Sequence, residues 1–79
     1  MHAGWIHTNN ALEKTFLFSN FREALAFINQ VGLLAEELQH HPDLSLRAYK
    51  TVVVSTTTHD AGGITEKDTQ LADAIDRLT

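Results

Sequence analysis

Hydrophobic and polar positions alternate along the first part of the chain in the manner of two β-strands. A short opening segment leads to Asn9-Asn10, a pair that suits a tight turn because asparagine tolerates a positive φ. After this pair, Leu12, Phe16 and Phe18 are separated by multiples of two residues, among mainly polar positions. A period of two is typical of a half-buried strand. The pattern therefore predicts a β-hairpin over residues 5–18.

The period then changes to that of a helix. Ser19-Asn20 can cap a helix that begins near Phe21. Apolar residues inside it recur at steps of three and four, which gives the helix one apolar face. These residues are Phe21, Ala24, Leu25, Ile28, Val31, Ala35 and Leu38. Gly32 costs such a helix about 1 kcal/mol relative to alanine, which suggests that something packs closely across it. Pro42 cannot lie inside a helix, so we expect the helix to end near residues 39–41.

Two further strands and a second helix complete the pattern. Residues 44–48 alternate between apolar and polar, Tyr49-Lys50 is predicted to turn, and the valine- and threonine-rich residues 51–58 favour a strand. Thr65-x-x-Asp68 is close to a capping box for a terminal helix. The apolar stripe of that helix is Leu71, Ala74, Ile75 and Leu78. We therefore predict a two-layer α+β fold in the order β-β-α-β-β-α, with a four-stranded antiparallel sheet and the helices on one face.

Composition excludes several classes of function. The chain is 43% hydrophobic and 20% charged, which is ordinary for a globular protein, and we expect residues 1–79 to form a single domain. So short a chain buries only about 60% of its unfolded surface. It has no cysteine for disulfides, and we therefore predict stabilisation by homo-oligomerisation. A net charge of −4 without a basic cluster argues against direct nucleic-acid binding. No apolar run approaches the about 18 residues of a membrane span, so we expect a cytoplasmic protein with no membrane contact.

The candidate chemistry lies in two segments that contain histidine. His40-His41-Pro42 ends the first predicted helix, and Thr58-His59-Asp60-Ala61-Gly62-Gly63 begins at the last residue of the last predicted strand. Alone, the first segment is more often a solvated helix end, and the second only a loop. Together they place three of the five histidines around one glycine-rich turn, whereas His2 and His7 are interpreted as terminal and strand-surface residues without a role. Imidazole can both accept and donate a proton near neutral pH.

The two segments together resemble the signature of the pterin-4a-carbinolamine dehydratase family. That signature is His-His-Pro, a strand, and then Thr/Ser-His-Asp-x-Gly-Gly-Leu/Ile-Thr-x-x-Asp. The resemblance covers nearly the whole chain, including Gly4-Trp5, Phe16-x-Phe18 and Ala35-Glu36. It departs from the family in three ways: the helix that usually precedes Gly-Trp is missing, Leu44 replaces a tryptophan of many animal members, and the hairpin between the histidine segments has one apparent extra residue. The last two departures remove no titratable group.

The resemblance implies dehydration of a 4a-hydroxytetrahydropterin to the quinonoid dihydropterin. A proton must leave a ring nitrogen while the 4a-hydroxyl leaves as water, so the step needs a base and an acid but neither a metal nor a redox cofactor. His40, His41 and His59 match the three family histidines. We assign the proton transfers about the hydroxyl to His40 and His59, and pterin contact or ring-nitrogen chemistry to His41.

Further residues around the histidines are predicted to bind the substrate. They are Glu36, Asp60, Gly62, Gly63 and Asp68. Glu36 lies one helical turn before His40, where its carboxylate could orient the imidazole and stabilise its charged form. Asp68 could cap the last helix, position His59, or accept a hydrogen bond from the pterin. Gly62-Gly63 allow positive φ and close approach of the main chain to a flat heterocycle.

Two other functions stay open. The three histidines and Asp68 could bind zinc or iron, although His40 and His41 should diverge and no His-x-x-x-His spacing aligns ligands on a helix. Animal family members also act as dimerisation cofactors of a hepatocyte homeodomain transcription factor, and other relatives that lost the histidines have become assembly chaperones. Such binding would use the helix faces. We therefore predict a pterin substrate, no cofactor, and a homodimer or homotetramer formed through the sheet edge or the helices, and we leave a protein partner open.

Overall fold

The computed structural model describes residues 4–79 and has the predicted element order, β-β-α-β-β-α. The strands are β1 (Ile6–Thr8), β2 (Ala11–Leu17), β3 (Asp43–Arg47) and β4 (Thr51–Thr56), and the helices are α1 (Phe21–Leu38) and α2 (Glu66–Asp76). A 3-10 turn, His59–Ala61, lies between β4 and α2. His2 lies outside the described residues. Within residues 4–79, no helix combines the length and the apolar character that crossing a membrane requires.

The four strands form one antiparallel sheet in the order β1-β2-β4-β3, so β4 is paired on both sides. Phe16 and Leu46 both lie opposite Val52, which places apolar side chains of three strands on one face. Both helices pack on that face, as predicted. The shared core contains Trp5, Leu12, Phe16, Ala24, Phe27, Val31, Val52, Val54, Leu71, Ala72 and Ile75.

Local hydrogen bonds fix both ends of α1. At its start, Asn20 Oδ1 accepts from the backbone N–H of Glu23 at 2.8 Å, the predicted N-cap. At its end, Gln39 takes a left-handed conformation with φ of 54°, and its N–H bonds to Glu36 O. The N–H of His40 bonds to Ala35 O at 3.0 Å, which completes a Schellman motif. This motif determines where His40 leaves the helix.

The turns differ from the prediction at one place. Asn9 has φ of 50°, as expected for the first hairpin. In the second hairpin, the left-handed residues are Ala48 and Tyr49, rather than the predicted Tyr49-Lys50. The pairing of Arg47 with Thr51 leaves the three residues between them to make the turn. Because Ala and Tyr are not residues that favour positive φ, their sequence carries no signal for this position.

The packing predicted across Gly32 is wrong for the described chain. A Cβ built on Gly32 would meet no atom within 4 Å. The predicted apolar face of α1 is also only partly buried. Of its residues, Ala24, Val31 and Ala35 are buried, whereas Phe21, Leu25 and Leu38 are 49%, 40% and 40% exposed. Outside the predicted face, Phe27 is buried and Leu33 is 69% exposed. The helix therefore has an apolar stripe that points away from its own sheet.

A polar cluster ties the first hairpin to α2. The indole Nε1 of Trp5 donates to both carboxylate oxygens of Asp76, at 3.0 and 3.1 Å, and Lys14 Nζ lies 2.9 Å from Asp76 Oδ1. The Lys14 ammonium also lies 4.9 Å from the ring centre of Phe16. These contacts satisfy polar atoms at the margin of the core, far along the chain from one another.

Candidate active site

The end of α1 and the turn after β4 meet at a cavity of about 350 Å³. It is lined by Gln39, His40, His41, Thr57, Thr58, His59, Asp60 and Lys67. All three histidines singled out in the sequence therefore line the same cavity. His7 lies on β1 with an exposed side chain, away from this lining.

The turn that carries His59 is closed by its own backbone. Thr58 and Gly63 pair across it, with Thr58 N donating to Gly63 O at 3.0 Å and Gly63 N donating to Thr58 O at 3.2 Å. Gly62 has φ of 75°, a conformation that a residue with a Cβ rarely adopts, and its N–H bonds to His59 O. The same pairing ends β4 at Thr56, two residues before the predicted end, because Thr58 pairs with Gly63 instead of a neighbouring strand.

Asp68 lies behind the cavity at the centre of a hydrogen-bond network. Its side chain is 0% exposed. Oδ1 accepts from Thr56 Oγ1 at 2.6 Å and lies 2.7 Å from His40 Nε2. Oδ2 accepts from Thr58 Oγ1 at 2.7 Å and from Thr65 N at 2.9 Å. Asp68 thus completes the predicted capping box, and the histidine it contacts is His40, not His59.

The network determines the charge of this carboxyl. Burial raises the pKa of Asp68, but the hydrogen bonds from Thr56, His40, Thr65 N and Thr58 outweigh it and hold the pKa below its ordinary value of 3.8. Hydrogen bonds to a carboxylate favour the ionised form. Asp68 is therefore a buried anion at neutral pH.

This lowered pKa predicts an acid-dependent loss of stability. A depressed carboxyl pKa contributes stability that is complete above the unfolded value and is lost as the pH falls through the folded value. The stability due to Asp68 should therefore decline as the pH falls below about 3.8. Urea unfolding of the wild type and of Asp68→Asn checks this: their difference in free energy of unfolding should be largest near neutrality and shrink in acid. A difference independent of pH would contradict the expectation.

The structure pairs Glu36 with His41, which corrects the expectation that it orients His40. His41 Nε2 lies 2.5 Å from Glu36 Oε2, across the helix end. Because the Schellman motif and Pro42 rotate the chain at this point, His40 turns inward to Asp68, and His41 remains beside the helix. The His41 and Glu36 side chains are 61% and 71% exposed, whereas that of His40 is 11% exposed. The two adjacent histidines thus have different environments.

The other predicted binding residues are dispersed around the cavity. Asp60 lines it, and Glu36 reaches it through His41. Gly62 lines a neighbouring cavity of about 410 Å³, which also contacts His59 and Thr57. Gly63 is in neither lining.

The sequence prediction missed four of the lining residues. They are Gln39, Thr57, Thr58 and Lys67. Both threonines were interpreted as part of a structural strand. The period of two did contain a signal, because Thr56 continues the inward positions of Val52 and Val54, and Thr58, two residues later, also bonds to Asp68. Hydroxyl groups at such positions indicate a buried acceptor, which here is Asp68.

The described residues around the cavity do not form a set of metal ligands. Among residues 4–79, no three His, Asp or Glu side chains converge in a manner suited to a metal ion. His40 is engaged by Asp68, and His41 by Glu36.

A family model and individual relatives all match this chain to the same protein family. The sequence model of the family described as pterin 4 alpha carbinolamine dehydratase matches residues 1–78. A protein of Thermomicrobium roseum is 52% identical over 75 residues, which cover 95% of this chain and 80% of that protein. A protein of Sulfurisphaera tokodaii is 51% identical with the same coverage. Both carry the name pterin-4-alpha-carbinolamine dehydratase provisionally.

Solved structures show the same fold. A transcriptional coactivator/pterin dehydratase from Brucella melitensis superposes with a TM-score of 0.89 at 35% identity, over 96% of this chain and 82% of that one. A pterin dehydratase-like protein identified as a RuBisCO assembly factor in the alpha-carboxysome superposes with a TM-score of 0.79 at 22% identity, over 98% and 90%. The second likeness concerns the fold alone. From the family match and the close relatives together, this chain belongs to the pterin 4 alpha carbinolamine dehydratase family.

Proposed function

We propose that this protein dehydrates 4a-hydroxytetrahydropterin to the quinonoid dihydropterin by general acid–base catalysis on histidine. The observation that carries the proposal is the convergence of His40, His41 and His59, from two separate segments, on one cavity. A cavity of about 350 Å³ is within the range of small-molecule sites. Membership of the family supports the pterin as substrate.

The reaction needs one proton accepted and one donated. A base takes the N–H proton of the ring nitrogen beside C4a, and the electron pair released forms a C=N double bond. The C4a–O bond breaks as an acid protonates the hydroxyl, and water leaves. Substrate therefore becomes product plus water, with no net oxidation. Proton transfer of this kind contributes about 10²- to 10⁴-fold to a rate.

The environments of the histidines support a division of these roles. His40 is largely buried, and its Nε2 lies 2.7 Å from the Asp68 carboxylate, which orients the ring toward the cavity, so we assign it protonation of the leaving hydroxyl. His59 is exposed at the cavity on its closed turn and shares the transfers about the hydroxyl. His41, paired with Glu36, contacts the pterin or acts at the ring nitrogen.

Neighbouring groups would hold the heterocycle. Asp60 provides a carboxylate in the lining, and Thr57 and Thr58 provide hydroxyl groups there. The turn at Gly62-Gly63 keeps the main chain free of side-chain bulk close to His59. Glu36 acts through His41, and Asp68 through His40. This proposal includes no metal and no redox cofactor.

A stopped-flow assay of chemically generated 4a-hydroxytetrahydropterin tests the function. We expect the wild-type protein to accelerate decay of this compound to the quinonoid dihydropterin in proportion to enzyme concentration. Because the spontaneous reaction also proceeds, the rate without protein is the reference. Absence of acceleration by a folded protein would refute the proposal.

A second function, protein binding on the helix face, is favoured by one observation. Phe21, Leu25 and Leu33 of α1 are exposed. The sequence analysis expected such binding to use the helix faces, and these side chains give α1 an exposed apolar surface of that kind. Among residues 4–79, the edge strand β3 is paired on one side only, which also suits the proposed homodimer or homotetramer. A folded protein that is inactive in the stopped-flow assay would favour this second function.

A further inference from the structure

Among the described hydrogen bonds, the imidazole of His40 contacts the protein interior through one ring nitrogen, Nε2. Its Nε2 lies 2.7 Å from Asp68 Oδ1, and the imidazole also lines the cavity. An ionised carboxylate can only accept hydrogen bonds. The nitrogen that faces it must therefore carry a hydrogen.

We propose that Asp68 is a positioning residue that keeps a proton on Nε2 of His40, so that Nδ1 is the atom that exchanges a proton with the substrate. The inference rests on the proposed dehydratase function and adds to it the reacting atom. In the charged imidazolium, both nitrogens carry hydrogen. After Nδ1 has given its proton to the leaving hydroxyl, the neutral ring retains the Nε2–H that Asp68 accepts. Asp68 itself neither gains nor loses a proton.

The surroundings of Asp68 make this arrangement rigid. Thr56 Oγ1, Thr58 Oγ1 and Thr65 N occupy the remaining acceptor positions at 2.6 to 2.9 Å. The carboxylate therefore cannot rotate without breaking several bonds inside a site with no solvent exposure. The hydroxyl groups of Thr56 and Thr58 thus fix, through Asp68, the orientation of the His40 imidazole at the cavity.

The contrast with His41 is informative. Its partner Glu36 is 71% exposed, and a carboxylate in water is free to change rotamer. Glu36 therefore does not impose one tautomer on His41. Of the two adjacent histidines, only His40 has a buried partner that determines which nitrogen reacts.

Replacement of Asp68 by asparagine should reverse the tautomer. Thr65 N is an obligate donor, so the amide oxygen of the new side chain must face it, and the amide NH₂ must then face Thr56 and His40. Thr56 can accept through its hydroxyl oxygen. His40 can accept only by releasing the proton from Nε2, so its neutral ring carries the proton on Nδ1. Donation of that proton to the leaving hydroxyl would then leave an imidazolate anion instead of a neutral ring.

The first measurement is ¹H–¹⁵N NMR of the imidazole rings in the wild-type protein. The spectra are recorded at a pH high enough that the ring ¹⁵N chemical shifts no longer change with pH, so that the neutral tautomer is observed. The signals of His40 are assigned by their loss in His40→Ala. We expect the Nε2–H tautomer in the wild type and the Nδ1–H tautomer in Asp68→Asn. The Nδ1–H tautomer in the wild type would overturn the inference, and this spectrum decides it even where Asp68→Asn fails to fold.

The second measurement is the stopped-flow assay of the same proteins. In Asp68→Asn we expect kcat to fall by about a hundredfold or more while KM changes little, since the reacting nitrogen and not the substrate contacts is altered. Asn20→Ala is the matched control, because it also removes a side-chain capping bond at the start of a helix but lies away from the cavity. It should retain the kcat and the tautomer of the wild type.

The possible outcomes distinguish failure of the proposed function from failure of the tautomer assignment. An inactive wild type refutes the proposed function, whatever the tautomer. An active wild type with a folded, fully active Asp68→Asn refutes the inference alone. Equal losses of kcat in Asp68→Asn and Asn20→Ala also refute it, because the loss would then follow helix capping and not the histidine.

Discussion

Replacing His59 by alanine is expected to lower kcat for dehydration of 4a-hydroxytetrahydropterin by about 10²- to 10⁴-fold. His59 lines the cavity beside His40 and His41, and its side chain is exposed, so its removal leaves the core and the Asp68 network in place. The loss should therefore appear in the chemical step and not in stability. Stopped-flow kinetics, with urea unfolding of the same protein, measures both.

His7→Ala is the control for this prediction. His7 is also an exposed histidine next to a turn, but it lies on β1 and does not line the cavity. It should retain wild-type kinetics. Equal activity of His59→Ala and His7→Ala would contradict a catalytic role for His59, and full activity of His40→Ala would contradict the division of roles among the histidines.

The largest effect on stability is expected for Phe27→Ala. Phe27 is 3% exposed, and its ring centre lies 4.7 Å from that of Phe16 and 4.9 Å from that of Phe18. Removing a buried phenylalanine costs about 3–5 kcal/mol, because both burial and packing are lost. A chain of this size has a free energy of unfolding of roughly 4–12 kcal/mol. The variant should therefore be close to the limit of folding, as measured by urea or thermal unfolding.

Leu33→Ala is the matched control on the same helix. Leu33 is 69% exposed within the chain, so its truncation should change the free energy of unfolding by less than about 0.5 kcal/mol. A loss below about 1 kcal/mol in Phe27→Ala would contradict the aromatic packing. A large loss in Leu33→Ala would show that α1 is covered by a second chain, and its dependence on protein concentration would identify that assembly.

The element order could be predicted from the sequence because each element has its own local cause. Asn20 caps α1 with its own side chain, Thr65 and Asp68 cap α2 reciprocally, and Pro42 prevents α1 from continuing. These interactions span only a few residues. The turn at Ala48 and Tyr49 could not be predicted, because its position follows from the register of β3 on β4 and not from residues that favour positive φ.

The candidate site also has features that follow from local sequence and features that follow from tertiary packing. The sequence by itself determined the order of the elements and the three histidines, because periodicity, capping and the two motifs are properties of neighbouring residues. Only the tertiary structure decided which carboxylate meets which histidine: Asp68 reaches His40, and Glu36 reaches His41. Periodicity describes one helix at a time, whereas the direction of His40 depends on how the end of α1 packs against α2 and β4. The burial of Asp68 among threonine hydroxyls arises from that packing, and it distinguishes one imidazole from its neighbour.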